Sequence, residues 1–260
     1  MKLRSIICAS AVAAAMATSA TTVTSVNTFA RLPVTSCFTN SIIAIPLSGC
    51  GEATAQIYVT NLVQTTNLSN GDTLMYKDGS NWYAWQINAS GNWEALTTTT
   101  EVGGMSITPA ANATALACGN ACWLYRSNPN ATVYLYGQTN AVRPGVTVAA
   151  GTSSAITYTI VGYPNEAAAL DLANWAKTGM AEGDLVIVPD SNGTGQKTYR
   201  FNGTAWTRAV ENTQTITTPR GDKTVTTTSW TAVSAGQATI PAGCGFMYGR
   251  KATSALPLVW

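Results

Sequence analysis

The residues of this sequence best suited to chemistry are its carboxylates, because the 260-residue chain contains no histidine. That absence excludes Ser-His-Asp and Cys-His catalysis and the common histidine metal sites. A pair of carboxylates could still hydrolyse a glycosidic bond. The candidates are Asp72, Asp78, Asp184 and Asp190. All four follow a glycine or lie in a turn-forming stretch, where Asp accepts local backbone hydrogen bonds. We therefore predict no catalytic residue, no cofactor and no enzyme activity.

The segment from Met1 to Ala20 has the three parts of a secretory signal peptide. Lys2 and Arg4 supply the positive start, positions 6–17 the apolar run, and the small residues up to Ala20 the cleavage site. The apolar run is too short to span a bilayer, which requires about 20 residues. The sequence therefore predicts a secreted protein, extracellular or on the outer cell surface, that does not span the membrane.

Five cysteines remain after this leader: Cys37, Cys50, Cys118, Cys122 and Cys244. An exported chain meets an oxidising compartment, in which disulfides are the default. We predict local bonds from Cys37 to Cys50 and from Cys118 to Cys122, which leaves Cys244 free or bonded to another chain. The alternative is a zinc site, but the C-x3-C spacing of 118 and 122 has no second pair to complete four ligands. No metal is predicted.

Aromatic side chains give the only hint of a ligand, because Trp and Tyr rings stack on sugar rings and anchor interfaces. An aromatic stretch at 71–93 is followed by a second one at 183–206. The aromatic pairs that the stretches share are Tyr83 with Tyr199, Trp85 with Phe201, and Trp93 with Trp206. We interpret these pairs as core. Trp82 aligns instead with Thr198 and lies on the opposite face of its strand, so we predict that Trp82 is exposed and binds a ligand.

The two stretches indicate one structural unit written twice. Gly71-Asp72 recurs as Gly183-Asp184, and Trp93 recurs as Trp206 at almost the same interval. Both stretches alternate short β-branched and aromatic runs with turn residues such as Asp78-Gly79-Ser80-Asn81. The predicted fold is therefore mainly β, with two tandem small β-sandwich or barrel-like domains that each carry one short helix.

The boundaries of these domains follow from changes in composition along the chain. The predicted segments are a signal peptide at 1–20, a flexible lead-in at 21–32, a first β-rich unit at 33–140, a linker at 141–154 and a second β-rich unit at 155–260. The helix of the first unit is expected within 52–64. The helix of the second unit is expected at 165–178, with Asn165 as its N-cap and Gly179 as its C-terminal stop.

Charged residues make up only 10% of the chain, well below the usual quarter. Of the 14 basic and 12 acidic residues, Lys2 and Arg4 leave with the signal peptide, so the remaining chain has a formal net charge of zero. A neutral chain without a basic stripe argues against nucleic acid as a partner. A surface with few charges suits dense packing against a neighbour.

These observations predict a non-enzymatic cell-surface or extracellular structural protein that associates with itself. The alternative is a carbohydrate-binding or adhesion module, which would bind cell-surface glycans through the exposed aromatic residues of the first stretch. The two hypotheses name different partners: a second copy of this chain, or a glycan.

Several motifs recur in one order along the chain. A strand at 41–47 precedes the Gly-Asp strand and the aromatic meander, and a strand at 133–137 closes the first unit. The second unit contains the turn Pro241-Ala242-Gly243-Cys244-Gly245-Phe246, whereas positions 117–123 of the first unit depart from it. This order resembles exported β-rich tandem-unit proteins of Verrucomicrobia- and Planctomycetes-like bacteria, over most of the mature chain. The resemblance implies export and a β-rich fold, and that family brings no established activity.

The first aromatic stretch contains Gly71-Asp72, Tyr76, Tyr83-Ala84-Trp85 and Trp93 in this order. Over this short stretch the order is similar to that of small chitin-binding modules. That similarity implies a polysaccharide as the ligand of the first unit.

Overall fold

The computed structural model of the protein describes residues 29–34, 40–45, 47–48, 57–98, 100–102, 105–111, 114–116, 119–128, 132–139, 145–163, 168–189, 195–218, 221–258 and 260. Within these residues the chain forms 22 strands and one short helix, which confirms the predicted mainly β fold. The predicted signal peptide lies outside the described residues. In the described part, no helix is both long and apolar enough to cross a membrane.

We refer to the described residues from 29 to 139 as the first unit and to those from 145 to 260 as the second unit. The elements of the first unit are β1 (Phe29–Val34), β2 (Asn40–Ala44), β3 (Leu47–Ser48), β4 (Ile57–Tyr58), α1 (Val59–Leu62), β5 (Thr73–Asp78), β6 (Asn81–Ile87), β7 (Trp93–Ala95), β8 (Thr100–Val102), β9 (Met105–Ile107), β10 (Ala115–Leu116), β11 (Ala121–Tyr125) and β12 (Val133–Thr139). The elements of the second unit are β13 (Val146–Val148), β14 (Thr157–Gly162), β15 (Leu170–Asp171), β16 (Leu185–Pro189), β17 (Gln196–Phe201), β18 (Trp206–Thr218), β19 (Gly221–Ala232), β20 (Thr239–Ile240), β21 (Gly245–Arg250) and β22 (Leu256–Leu258).

Each unit is organised around one antiparallel sheet. The strand order is β2-β11-β5-β6-β7 in the first unit and β14-β21-β16-β17-β18-β19 in the second. The first five positions correspond strand for strand. Each sheet begins with a strand from the start of its unit, β2 or β14, and a strand from near its end, β11 or β21, which we call the late strand. It continues through three consecutive strands of the aromatic stretch. Two smaller pairings correspond as well: β1-β12 with β13-β22, and β4-β10 with β15-β20. β3 extends the β1-β12 pair, and β8-β9 forms a separate hairpin.

The alternation of side chains along the first meander decides which face each residue takes. The side chains of β5 and β6 that enter the main core are Leu74, Tyr76, Trp85 and Ile87. On the other face of the sheet, Met75 and Ala84 pack against Ile107 of β9. The centre of this sheet is therefore buried on both faces.

One hydrophobic cluster runs through both units and includes Trp85 of the first and Trp206 of the second. In the second unit Trp175 stacks on Trp206, with ring centroids 6.1 Å apart and an angle of 9° between the planes. Trp175 also meets Tyr248 edge to face at 6.2 Å. A contiguous group of aromatic rings therefore lies in the core of the second unit.

The two units contact each other through equivalent strands. The backbone N–H of Ala44, at the end of β2, donates to the carbonyl oxygen of Gly243 at 2.8 Å. The N–H of Gly162, at the end of β14, donates to the carbonyl oxygen of Gly119 at 3.1 Å. β2 and β14 hold the same place in the two sheets, and both acceptors lie shortly before the late strand. The two hydrogen bonds are therefore related by a local pseudo-two-fold axis.

Small residues permit this close contact. Ala44 pairs with Ala121 between β2 and β11, and Gly162 pairs with Gly245 between β14 and β21. A Cβ atom on Gly162 would overlap the carbonyl oxygen of Asn120. The second unit therefore needs glycine at a position where the first unit carries alanine.

The helix predicted at 165–178 is wrong for positions 168–178, which the structure describes. This segment contains β15, which pairs with β20, and then a series of turns. The carboxylate of Asp171 accepts hydrogen bonds from the N–H of Ala173 at 3.1 Å and from Nδ2 of Asn174 at 2.9 Å. Such local side-chain bonds compete with helical hydrogen bonds.

Two predicted boundaries also differ from the structure. β1 begins at Phe29, inside the predicted lead-in at 21–32, because it pairs with β12 along its whole length. β13 lies inside the predicted linker at 141–154, because it pairs with β22. The first and last strands of each unit therefore pair with each other.

The helix predicted within 52–64 corresponds to α1, which has only four residues.

Candidate functional sites

Asp184, one of the four candidate carboxylates, is completely buried just before β16. Its Oδ2 accepts hydrogen bonds from Nη1 of Arg250 at 2.5 Å, from the hydroxyl of Tyr248 at 2.8 Å and from the N–H of Ala181 at 2.9 Å. Its Oδ1 accepts one from the N–H of Lys251 at 2.9 Å. Burial raises the pKa of the Tyr248 hydroxyl, and its hydrogen bond to Asp184 raises that pKa further. Four protein donors hold this carboxylate, so its role is structural.

Asp72 holds the same position in the first unit, just before β5, and is 1% exposed. Its Oδ2 accepts a hydrogen bond from the N–H of Ser69 at 2.9 Å. Its Oδ1 accepts from the N–H of Ser127 at 2.8 Å and from the hydroxyl of the same residue at 2.9 Å. Both oxygens of this carboxylate therefore accept hydrogen bonds from other residues of the protein, as those of Asp184 do.

Two carboxylate candidates remain, and the structure describes one of them. Asp78 is exposed at the end of β5, and Asp190 lies outside the described residues. Within the described ranges, no group of three or more His, Cys, Asp or Glu side chains could hold a metal ion. The two buried carboxylates therefore act as hydrogen-bond acceptors that support loops.

The bond predicted between Cys118 and Cys122 is not formed, because Cys122 is a free thiol. Cys122 lies in the middle of the sheet, on β11 between β2 and β5, with its side chain in the core. Burial raises the pKa of its thiol. Cys244 is also buried, and it is not in a disulfide. Cys37, Cys50 and Cys118 lie outside the described residues, so the predicted bond between the first two stays a prediction.

Trp82, the predicted ligand-binding residue, lies at the contact between the units and is not an open platform. Its half-buried indole packs against a cluster formed by Ile42, Ala121 and Ile160. Nζ of Lys77 lies 5.8 Å from the centroid of the ring. Ile160 belongs to β14 of the second unit, and Trp82 also packs against a cluster of Met75, Ala84 and Ile107. The clusters that this indole packs against therefore include residues of both units, and strand alternation does not predict such long-range packing.

The structure also shifts the predicted alignment of the aromatic residues. Trp85 lies opposite the second residue of β5, and Tyr199 lies opposite the second residue of β16. Trp85 therefore corresponds to Tyr199 and not to Phe201, and Trp82 corresponds to Gln196. The shift is an even number of positions, so the side chains keep the faces that the alternation gives them.

The most extended element is the hairpin of β18 and β19, which we call the arm. Only the start of β18, from Trp206 to Arg208, pairs with β17, and the rest of that strand pairs with β19 alone. β19 is the last strand of its sheet. Trp230 on β19 is 43% exposed, and the guanidinium carbon of Arg200 lies 5.9 Å from the centroid of its ring. The arm was not predicted from the sequence, where its signal was a threonine-rich run on either side of the tripeptide Pro-Arg-Gly.

A cavity of about 340 Å³ opens on the second unit, and we call it the Trp260 cavity. Its principal lining residues are Tyr163, Leu170, Asp171, Asn174, Trp175 and Trp260. The indole of Trp260 stacks on that of Trp175 at 5.6 Å and meets the ring of Tyr163 at 5.3 Å. The sequence pattern favours core positions for Trp175 and Trp260, because aromatic character indicates burial better than it indicates a cavity.

Comparisons of the chain with known protein families, with curated proteins and with solved structures find no match. The resemblance to exported tandem-unit proteins therefore stays a prediction. The features of the described chain that bear on function are the arm, the contact between the units and the Trp260 cavity.

Proposed function

We propose that this chain is an exported, non-enzymatic structural protein of the cell surface or extracellular space, which self-associates through the edge of β19. The observation that carries the proposal is the length and character of that edge. β19 has 12 residues, or about 40 Å at 3.4 Å per residue. In the described part of the chain, no strand pairs with its outer side.

From Thr224 onward, the sequence of β19 lacks the features that protect natural edge strands, and its two charged residues, Asp222 and Lys223, lie at the tip of the arm. Exposed edges are usually blunted by lysine, proline, a bulge or a short length. From Thr224 to Ala232 the strand contains no charge and no proline, and its pairing with β18 continues without a bulge. Such an edge favours the addition of another strand.

A second copy of the chain is the partner that fits this edge best. Antiparallel pairing of two β19 strands centred on Thr227 would set Thr224 of one copy opposite Trp230 of the other, so that each exposed indole meets a threonine. The same register would set the tip residues Asp222 and Lys223 opposite Ala232 and Thr231. No like charges meet in this arrangement, and like charges directly opposite each other destabilise a sheet.

Two further observations support the structural role. The strand orders of the two units correspond, from which we infer that the chain arose by tandem duplication, and the units already contact each other through a pseudo-two-fold pair of backbone hydrogen bonds. The buried carboxylates of both units are used by protein donors, which supports a protein without catalytic function. The alternative, glycan binding through Trp82, has less support because that indole lies between the units.

The proposal is tested by the mass of the exported chain in solution, measured by light scattering over a range of concentrations. We expect dimers or larger assemblies, and a double substitution Thr226→Lys with Thr228→Lys should return the protein to a monomer. The matched control is Thr213→Lys with Thr215→Lys, which adds the same charge to β18 and should leave association in place. A strictly monomeric wild-type chain would overturn self-association, and equal loss in both double variants would overturn the assignment to the β19 edge.

A further inference from the structure

Among the described residues of the first unit, strand packing occupies the place that is equivalent to the Trp260 cavity. There Val63 forms a β-bridge with Leu135, and the N–H of Gln64 donates to the carbonyl oxygen of Tyr134 at 3.0 Å. Trp175 and Ala176 lie as far after Val63 and Gln64 as Gly183-Asp184 lies after Gly71-Asp72, so we take them as the equivalent positions. Both line the cavity. The second unit therefore has an open, aromatic-lined space where the first unit has strand packing.

The aromatic wall of the cavity is continuous. The rings of Trp175 and Trp260 are nearly parallel, at 13°, and that of Tyr163 stands at 74° to Trp260. With centroids 5.3 and 5.6 Å apart, neighbouring rings touch each other and enclose no space between them. A cage for a quaternary ammonium group needs rings arranged around such a space, so the arrangement favours a ligand that lies against a wall.

The rim of the cavity is polar and held in place. Oδ2 of Asp171 accepts hydrogen bonds from Nδ2 of Asn174 at 2.9 Å and from the N–H of Gly236 at 2.9 Å, and Oδ1 accepts one from the N–H of Ala173. An ionised carboxylate can accept about four hydrogen bonds, so Asp171 can still accept one from a ligand. Asn174 is exposed, and its amide oxygen is an acceptor beside it. These groups are positioned before any ligand arrives, which reduces the entropy lost on binding.

We propose that the Trp260 cavity binds a ring of a neutral saccharide. One face of a pyranose ring presents C–H groups, which suit the aromatic wall, and the hydroxyls at its edge suit Asp171 and Asn174. The volume lies at the low end of ligand pockets, about 300–1,000 Å³, and so fits a short segment of a glycan. Among the lining residues that the structure describes, the single charged one is Asp171, which disfavours anionic sugars. This proposal concerns a site separate from the β19 edge and does not depend on self-association.

The test is a calorimetric titration of the exported chain with tetrasaccharides built from glucose, N-acetylglucosamine, mannose or xylose, with a glucuronic acid oligosaccharide as the anionic comparison. We expect at least one neutral tetrasaccharide to bind and the anionic one to bind at least tenfold more weakly. Asn174→Ala should weaken binding about tenfold, the effect of losing one hydrogen bond of about 1.4 kcal/mol. Ala176→Phe should abolish binding, because the new ring occupies the cavity from an exposed position.

Tyr158→Ala serves as the control, since it removes an exposed aromatic ring of β14 that does not line the cavity, and it should change the affinity less than twofold. The proposal is overturned if no neutral tetrasaccharide binds at about 10 mM, a concentration far above micromolar binding. It is also overturned if both cavity variants bind within twofold of the wild type, or if only the anionic oligosaccharide binds. Circular dichroism of Asn174→Ala and Ala176→Phe establishes that each variant is folded before it is scored.

Discussion

The two units bury an aspartate at the same point of the sheet and satisfy it with different partners. In both, one carboxylate oxygen accepts a hydrogen bond from an amide just upstream in the chain, that of Ser69 or Ala181. The other oxygen accepts one from an amide after the late strand, that of Ser127 or Lys251. The remaining donors differ: a serine hydroxyl in the first unit, and the side chains of Tyr248 and Arg250 in the second.

The hydrogen bonds that the buried aspartates accept are of two kinds: those from backbone amides, which the fold determines, and those from side chains, which differ between the units. The backbone donors recur because the loop geometry recurs, including a glycine with φ of 91° at both Gly71 and Gly183, a conformation that other residues rarely adopt. The side-chain donors have diverged. Arg126, at the position equivalent to Arg250, donates from Nη2 to the carbonyl oxygen of Asn67 at 2.8 Å. The aspartate thus organises the loops in both units and pairs with a buried arginine in the second.

The strongest destabilisation should come from removing the aspartate of the second unit. Asp184→Ala leaves the guanidinium of Arg250 buried without its partner, and we expect a loss of about 3–5 kcal/mol in the free energy of unfolding. Asp72→Ala removes hydrogen bonds from neutral donors, and we expect a smaller loss of about 1–3 kcal/mol. Urea unfolding followed by tryptophan fluorescence measures both. Equal losses would show that the arginine adds nothing to the motif.

A smaller loss is expected at the contact between the units. Gly162→Ala places a methyl group against the backbone of Asn120, and a forced backbone shift of this kind costs about 1–3 kcal/mol. Gly195→Ala is the matched control, because a Cβ atom there has no neighbour within 4 Å, and its effect should stay within about 0.5 kcal/mol. If Gly162→Ala is as stable as Gly195→Ala, the close contact between the units is absent in solution.

The dependence of stability on alkaline pH should separate the units further. The pKa of Tyr248 is raised in the folded protein, so above its unfolded value of about 10 the folded state holds a proton that the unfolded state has lost. Stability is therefore complete below that pH and falls above it, by at most about 1.4 kcal/mol per pH unit for one group. Tyr248→Phe should reduce this slope.

The equivalent residue of the first unit is Leu124, which has no titrating group, so Leu124→Val serves as the control. It should lower stability by the same amount at pH 8 and pH 11. The buried Cys122 thiol adds to the alkaline slope in every variant, so the informative quantity is the difference between the slopes of wild type and Tyr248→Phe. Identical slopes would contradict the raised pKa.

The meanders could be predicted from the sequence because their signals are local. Alternation places Leu74 and Trp85 in the core, and the turn at 78–81 joins β5 to β6 as expected. The helix predicted at 165–178 failed because β15 pairs with β20, a strand far along the chain, and because Asp171 bonds its own turn. The spacing of apolar residues, from which the helix was predicted, gives no information about either of these contacts.

The candidate site was harder to predict than the fold. Trp82 was expected to be exposed, but it is half buried against two clusters, one of which includes Ile160 of the second unit. This packing cannot be recognised before the tertiary contacts are known. The arm has a run of threonines without an apolar face, so hydrophobic alternation gives no strand signal there. The Trp260 cavity reflects a difference between two similar units. That difference is visible only when the equivalent strands of the two units are compared in the structure.

The pairing of the first and last strands in each unit also constrains when the protein can fold. Phe29 pairs with Gln138, and Val146 pairs with Leu258, so neither sheet system closes until nearly all of its unit is present. During synthesis the second unit must wait until Leu258 has emerged, whereas the first can close while the second is still emerging. Pairings this distant in sequence slow folding, and they keep a newly made chain open for longer. The export that we propose, in which a chain is threaded through a membrane before it folds, would benefit from that delay.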